Sequence, residues 1–211
     1  MGQKVDPRGF RLGITRKHDS KWYADKKSFA DLLHEDIILR EYIEEKYKSA
    51  EISRVFIERP SNGEVDIFIH CYRVGAIIGR KGEELESLKK QLEKKVKDKK
   101  INIRVQELSD SKLDAKVLGE MIATSIEKRT PYKKAVNQAL NRAKKIGLKG
   151  VKVSISGRLN GAEIARTEVF SFGKVPLHTL RYKIDYAVVR AQTISGVIGL
   201  KIWLSEGELL G

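Results

Sequence analysis

Two alternating apolar runs meet at an Asn-Gly pair, and this constrains the first half of the chain more than any other feature. Ile52, Val55 and Ile57 lead into the turn PSNGE, and Val65, Ile67 and Ile69 lead out of it. Alternation at a period of two marks strands, and Asn-Gly supplies the left-handed backbone a tight hairpin needs. The flanking segments have the helical period instead. Leu32, Leu33, Ile37, Ile38 and Tyr42 fit a helix from about Phe29 to Lys48, and Leu85, Leu88, Leu92 and Val96 form one stripe of a second. A short apolar segment, Val74 to Ile78, precedes that second helix, and Ile101, Ile103 and Val105 read as a closing strand. The predicted order is helix, strand, strand, helix, loop, helix, strand.

The second half follows a different plan. Ser111 and Asp114 resemble a capping box, and Leu113, Val117, Met121 and Ile122 give the helix behind it a buried stripe. Thr130-Pro131 reads as the N-cap and first position of another helix. Its inward positions are Val136, Ala139, Leu140, Ala143 and Ile146, and Gly147 ends it. Four alternating strands follow, Val151 to Ser156, Ile164 to Phe172, Leu180 to Arg190 and Ile198 to Leu204, which suggests a four-stranded meander on two helices.

Charge narrows the function. Over 211 residues the formal net charge is +14, a surplus that opposes compaction and is tolerated where the partner is a polyanion. Residues 1–30 read as a basic arm, with Lys4, Arg8 and Arg11 as candidate RNA contacts and Phe10, Trp22 and Tyr23 available to anchor or stack. Other classes are disfavoured. Cys71 is the single cysteine and the four histidines show no ligand spacing, so neither a disulfide nor a metal site is expected. No run reaches the length of a membrane span, the N-terminus lacks an apolar signal region, and Asp6 stands where a myristoylation signal wants Ser or Thr. A cytoplasmic protein without membrane contact is expected. There is no phosphate-binding P-loop and no nucleophile beside a base, and Glu168 and Asp185 read as ion-paired carboxylates. No enzyme activity and no cofactor are expected.

The loop IIGRKG, residues 77–82, carries the sharpest local signal. With 17 glycines a GxxG arises about once by chance, so the spacing alone is weak. Of the three GxxG spacings here, only this one encloses two cations, Arg80 and Lys81 between Gly79 and Gly82, and only this one joins two predicted helices. Glycines without a Cβ let a phosphodiester approach, and a following helix N-terminus favours an anion. A plain glycine-capped turn explains the glycines about equally well until the surrounding order is added. That order resembles a type II KH domain over residues 31–107, the GxxG being its nucleic-acid clamp.

A second basic surface lies further on. From Lys128 to Ala162 there are ten Lys/Arg and no Asp or Glu. A solvated helix face mixes signs, so this tract reads as phosphate-facing, with Lys128, Arg129, Lys133, Lys134, Arg142 and Lys145 as the candidates. Gly157 and Gly161 bracket a tight turn between strands, and Arg158 and Arg166 point charge outward from a turn expected to face RNA.

The blocks MGQKVDPRGFRLGI, IIGRKG, SGRLNGAEIART, GKVPLHTLR and GVIGLKIW, in this order over essentially the whole length, resemble the family of third proteins of the bacterial small ribosomal subunit. The resemblance implies an α+β protein of two domains. The first is a type II KH domain, a three-stranded sheet with helices on one face; the second, residues 108–211, has two helices and a four-stranded antiparallel sheet. It implies binding to 16S rRNA in the subunit head and to mRNA where it enters the subunit. The implied neighbours are small-subunit proteins ten and fourteen, with four and five beside the messenger. In that family two adjacent arginines, followed three residues on by a lysine, are tied to unwinding messenger structure. Arg129 and Lys133 match the first arginine and the lysine, while Thr130 stands at the second arginine, with Lys128 and Lys134 nearby. A charged tail, common in the family, is not matched by the ending SEGELLG. Two other classes compete, a free KH regulator and a nucleic-acid enzyme. The single KH unit and several basic surfaces favour the ribosomal reading over the first, and the missing catalytic cluster disfavours the second.

Overall fold

The computed structural model describes residues 4–47, 50–61, 63–79, 82–96, 99–108 and 113–209. The chain divides into two units, His18–Ser109 on the one hand and Met1–Lys17 with Asp110–Gly211 on the other.

In the first unit the predicted order holds: α1 (Phe29–Lys46), β2 (Ile52–Ser61), β3 (Glu64–Cys71), α2 (Gly75–Ile78), α3 (Glu83–Lys95) and β4 (Lys100–Glu107), preceded by a two-residue edge strand β1 (Ser20–Lys21). The sheet order is β1-β2-β3-β4, with β2 and β3 antiparallel and β4 parallel to β3. Asn62, at the turn of the hairpin, lies outside the described residues. Pairing sets Ile57 opposite Ile67 and Ile67 opposite Ile103, so the alternating residues share a face. Ile57, Val65, Ile67, Ile69 and Ile101 are buried in one cluster with Leu39 and Ile43 of α1 and Leu88 and Leu92 of α3. Each such side chain contributes about 1.5–3 kcal/mol of burial.

Helix α1 turns a different stripe inward than its pattern predicts. Leu33 and Ile37 are 42% and 44% exposed, while Asp36, Leu39 and Ile43 are buried. Apolar residues surround this helix, so periodicity does not select one side. The polar contacts of Asp36 do. Its Oδ1 accepts from Arg59 Nη2 at 2.6 Å, and its Oδ2 accepts from Trp22 Nε1 at 2.8 Å and Ser20 Oγ at 3.2 Å. Glu35 extends the network to Arg59 and Lys99. A buried carboxylate must be paired, and its partners lie on β1, β2 and the segment between β1 and α1.

The second unit contains α4 (Ala115–Glu127), α5 (Tyr132–Lys145), β5 (Gly150–Gly157), β6 (Arg166–Gly173), β7 (Tyr182–Thr193) and β8 (Gly196–Glu208). The sheet is antiparallel in the order β6-β5-β8-β7, not a meander, because β8 inserts between β5 and β7. Side-chain burial explains the order. Ile202, Trp203 and Leu204 are consecutive and all buried, so β8 is covered on both faces and belongs in the centre. Polar β6, with Arg166, Thr167 and Ser171 exposed, takes an edge. Helix α4 packs on β7 and β8 at Gly119, where a Cβ would lie 2.6 Å from Val189 Cγ2 and 2.7 Å from Ile202 Cδ1. The first N–H of α4, on Ala115, is capped from the sheet by Asp185 Oδ2 at 2.9 Å, while Oδ1 accepts from Arg16 at 2.9 Å. Ser111 of the expected capping box lies outside the described residues.

The first thirty residues are shared between the units. Residues 18–30 join the first through β1 and Trp22, and residues 4–17 join the second. Arg11 anchors the latter. It is 1% exposed, and its guanidinium donates to the carbonyls of Pro7, Pro176, Leu177, Thr179 and Tyr182. These carbonyls belong to its own turn, the link between β6 and β7, and the start of β7. One side chain thereby satisfies a whole loop.

Candidate nucleic-acid interface

In the first unit, helix α2 stops at Gly79 with φ +69°, and Gly82 caps α3 with φ +83°. Both values favour glycine. A Cβ on Gly79 would lie 2.5 Å from Glu84 Cγ, so Gly79 also lets the loop close onto α3. A Cβ on Gly82 would meet nothing within 4 Å among the described residues. Arg80 and Lys81 lie outside the described residues. The dipole of α3 is a weaker lure for phosphate than the loop pattern alone implies, because Glu83, Glu84 and Glu86 fill its first turn. These carboxylates offset the positive end of the helix.

In the second unit two helices end in the same kind of turn. After α5, Leu148 N–H donates to Ala143 O at 3.2 Å and Gly147 N–H to Lys144 O at 3.0 Å, with Gly147 at φ +85°. After α4, Thr130 N–H donates to Ser125 O at 3.0 Å and Arg129 N–H to Ile126 O at 2.8 Å, with Arg129 at φ +62°. Both are Schellman turns, whose left-handed position is ordinarily glycine. Arg129 holds it at a cost of about 1 kcal/mol. Helix α5 then starts at Tyr132 with Pro131 as its N-cap, one residue later than the sequence predicts, and no acid lies in its first turn.

Lys128, Arg129, Lys133, Lys134 and Lys145 are exposed, as are Gln138 and Asn141. Arg142 is half-buried, its Nη1 3.0 Å from Met121 Sδ, and packs α5 against α4. Arg166 pairs with Glu168 at 3.5 Å, and Glu168 accepts from Tyr132 Oη at 2.9 Å. Arg158 donates to Ala162 O at 2.8 Å and to Ser195 O at 3.3 Å, tying the β5–β6 turn to the β7–β8 hairpin. Arg129 and Arg158 thus border one cleft of about 560 Å³, which also includes Asn160 and Gln192. Gln192 carries no sequence signal for a site, whereas Asn160 lies in the glycine-bracketed turn expected to face RNA.

The N-terminal candidates differ from one another. Lys4 lies with Nζ 5.4 Å from the centre of the Trp203 ring, and Lys152 lies 5.7 Å from the same ring. The Lys4 side chain beside it, with partial burial, holds the Lys152 ammonium below the usual lysine range. Arg8 pairs with Asp6 at 3.1 Å and sits 5.7 Å from the Tyr186 ring. Arg11 is committed to backbone carbonyls, so it cannot meet a phosphate without unfolding its loop.

Comparison with known proteins follows the same two units. The family model described as "KH domain" matches residues 38–113, and the one described as "Ribosomal protein S3, C-terminal domain" matches residues 122–204. A protein of Fusobacterium nucleatum named "Small ribosomal subunit protein uS3" is 54% identical over 211 residues, covering all of this chain and 96% of the relative. The chain belongs to the uS3 family. Proteins of the same name from Desulforudis audaxviator and Dictyoglomus turgidum are 51% and 52% identical, over 95% and 85% of their own lengths.

Within this uS3-family fold the groups that could have suggested catalysis are otherwise engaged. Cys71 ends β3 fully buried, and burial, with Glu107 nearby, pushes its thiol up to about 11. A thiol that stays protonated is a poor nucleophile. Asp185 and Glu168 pair with Arg16 and Arg166, as the sequence predicts. Among the described residues no three His, Cys, Asp or Glu side chains cluster as metal ligands, and no helix is long and apolar enough to cross a membrane.

Proposed function

We propose that this chain is a non-enzymatic structural constituent of the small ribosomal subunit, working in the cytoplasm. It binds 16S rRNA in the subunit head through its KH loop and the cations of its second unit. It meets mRNA where the messenger enters the subunit, through Lys128, Arg129, Lys133 and Lys134. Small-subunit proteins ten and fourteen are its neighbours, with four and five beside the messenger. The ribosomal part of the reading is supported by full-length similarity to proteins named for that subunit.

The messenger contact is supported above all by the α4–α5 turn. Arg129 is held in a conformation that disfavours any residue but glycine, at the head of a helix whose first turn has no acid. Retaining a cation there at a cost in stability fits a surface selected for charge. Such a face neutralises phosphates without reading bases, which suits a channel that must pass any message. With Thr130 at the second arginine position, any help in unwinding falls to Lys128, Arg129, Lys133 and Lys134.

The test is the salt dependence of single-stranded RNA binding by the full chain. Arg129→Ala with Lys133→Ala is expected to lower the slope of log K against log salt by about 0.7 for each phosphate no longer neutralised. An unchanged slope would assign this face to a protein neighbour or to solvent.

A further inference from the structure

The cleft beside Arg129 has a feature that phosphate binding does not explain. Among the described residues three non-glycine positions have a left-handed backbone, Glu51, Arg129 and Asn160. Two of them, Arg129 and Asn160, border this one cleft although 31 positions apart. Asparagine adopts this region readily, whereas for Arg129 it is strained, and strained backbone positions cluster at ligand clamps. At about 560 Å³ the space falls in the range of small-ligand sites, roughly 300–1,000 Å³.

Its lining is graded. Ile126, Tyr132 and Ile198 form buried walls, and the Ile194 side chain stands at the rim 88% exposed. Asn160 and Gln192 also line the cleft, and both residues carry amides that can donate to and accept from a base edge. Glu127 also lines the cleft, and its carboxylate accepts from the Gln192 backbone N–H at 2.9 Å. Glu127 is exposed, and Arg129 and Arg158 also line the cleft, so a phosphate is attracted at the cationic margin. Apolar walls, residues with amide hydrogen-bonding groups and a cationic rim together fit a flat neutral ring on a charged backbone.

We propose that this cleft seats one unstacked base of single-stranded RNA, with the adjoining phosphate at Arg129. Single-stranded RNA is ordinarily held this way, by bases splayed onto apolar surfaces beside a basic track. The proposal deepens the messenger-contact reading and rests on it. The seat makes the turn a detector of single-stranded character, since a base in a duplex cannot enter it.

The test uses the full chain and two probes of equal length and charge, a single-stranded RNA octamer and the same octamer with abasic riboses. Ser195→Leu narrows the cleft with a neutral side chain, and Ile194→Ala strips its rim. Both lie in the two-residue hairpin turn, and thermal unfolding confirms that each variant is folded. The unaltered protein is expected to bind the base-bearing octamer roughly tenfold more tightly than the abasic one, the scale of one stacked base. Each variant is expected to shrink that ratio severalfold and leave abasic binding as it was. Equal binding of both probes by the unaltered protein would overturn the proposal, as would a ratio unchanged in both folded variants. The Arg129→Ala, Lys133→Ala chain separates the two readings. It is expected to weaken both probes alike, and its failure to do so would remove the phosphate contact while leaving the base-dependent ratio to be judged alone.

Discussion

Arg129 and Gly147 occupy the same position of the same helix-ending turn, and only one of them suits it. Replacing Arg129 by glycine should relieve the left-handed strain and stabilise the protein by about 0.5–1 kcal/mol, while weakening RNA binding. Denaturant midpoints and RNA titrations on the same variant check both halves. A variant that is less stable and binds equally well would mean that Arg129 serves the fold. Arg11 is the opposite case, a cation whose role is entirely internal. Arg11→Lys keeps the charge but offers a point ammonium with three donors where five carbonyls converge. The expected loss is about 3 kcal/mol or more, from carbonyls left without partners. Thermal unfolding reads it, and a loss below about half a kcal/mol, less than one ordinary hydrogen bond, would show that the loop holds itself. In the sequence Arg11 is one more basic residue of a basic stretch. Nothing local distinguishes a cation that meets phosphate from one that satisfies a loop 165 residues away.

At the scale of elements, what can be read in the sequence depends on how one-sided each pattern is. Helix α5 has a clean division: Val136, Ala139, Leu140 and Ala143 are buried, and Lys134, Gln138, Asn141 and Lys145 are exposed, as their spacing predicts. The strands β2 and β3 alternate, and their pairing follows. Helix α1 is apolar on most sides, and its rotation is set by the buried Asp36 and its partners. Asp36→Ala should therefore cost about 3–5 kcal/mol by leaving Arg59 buried without its strongest partner. A cost under about 1 kcal/mol in denaturant unfolding would mean that Leu39 and Ile43 alone fix the helix. The sheet order of the second unit is hidden for a related reason. Alternation identifies a strand but not its neighbours, and only the doubly buried run Ile202-Trp203-Leu204 marks β8 as central.

For the whole molecule, the net charge of +14 points to a polyanion, and the structure locates much of the accessible part. The helix α5 face and the turn before it present Lys128, Arg129, Lys133, Lys134 and Lys145 outward, while Arg11, Arg16 and Arg59 are drawn into internal contacts. This basic face of the second unit, with the cations the sequence places in the KH loop, suits a protein built into an RNA particle rather than one that visits a single site. The measurement that tests this most directly is sedimentation of the tagged full chain from cell lysate, at low and at high salt. Near-stoichiometric migration with the small ribosomal subunit is expected at both. Protein found at the top of the gradient, or stripped from the subunit by modest salt, would contradict it.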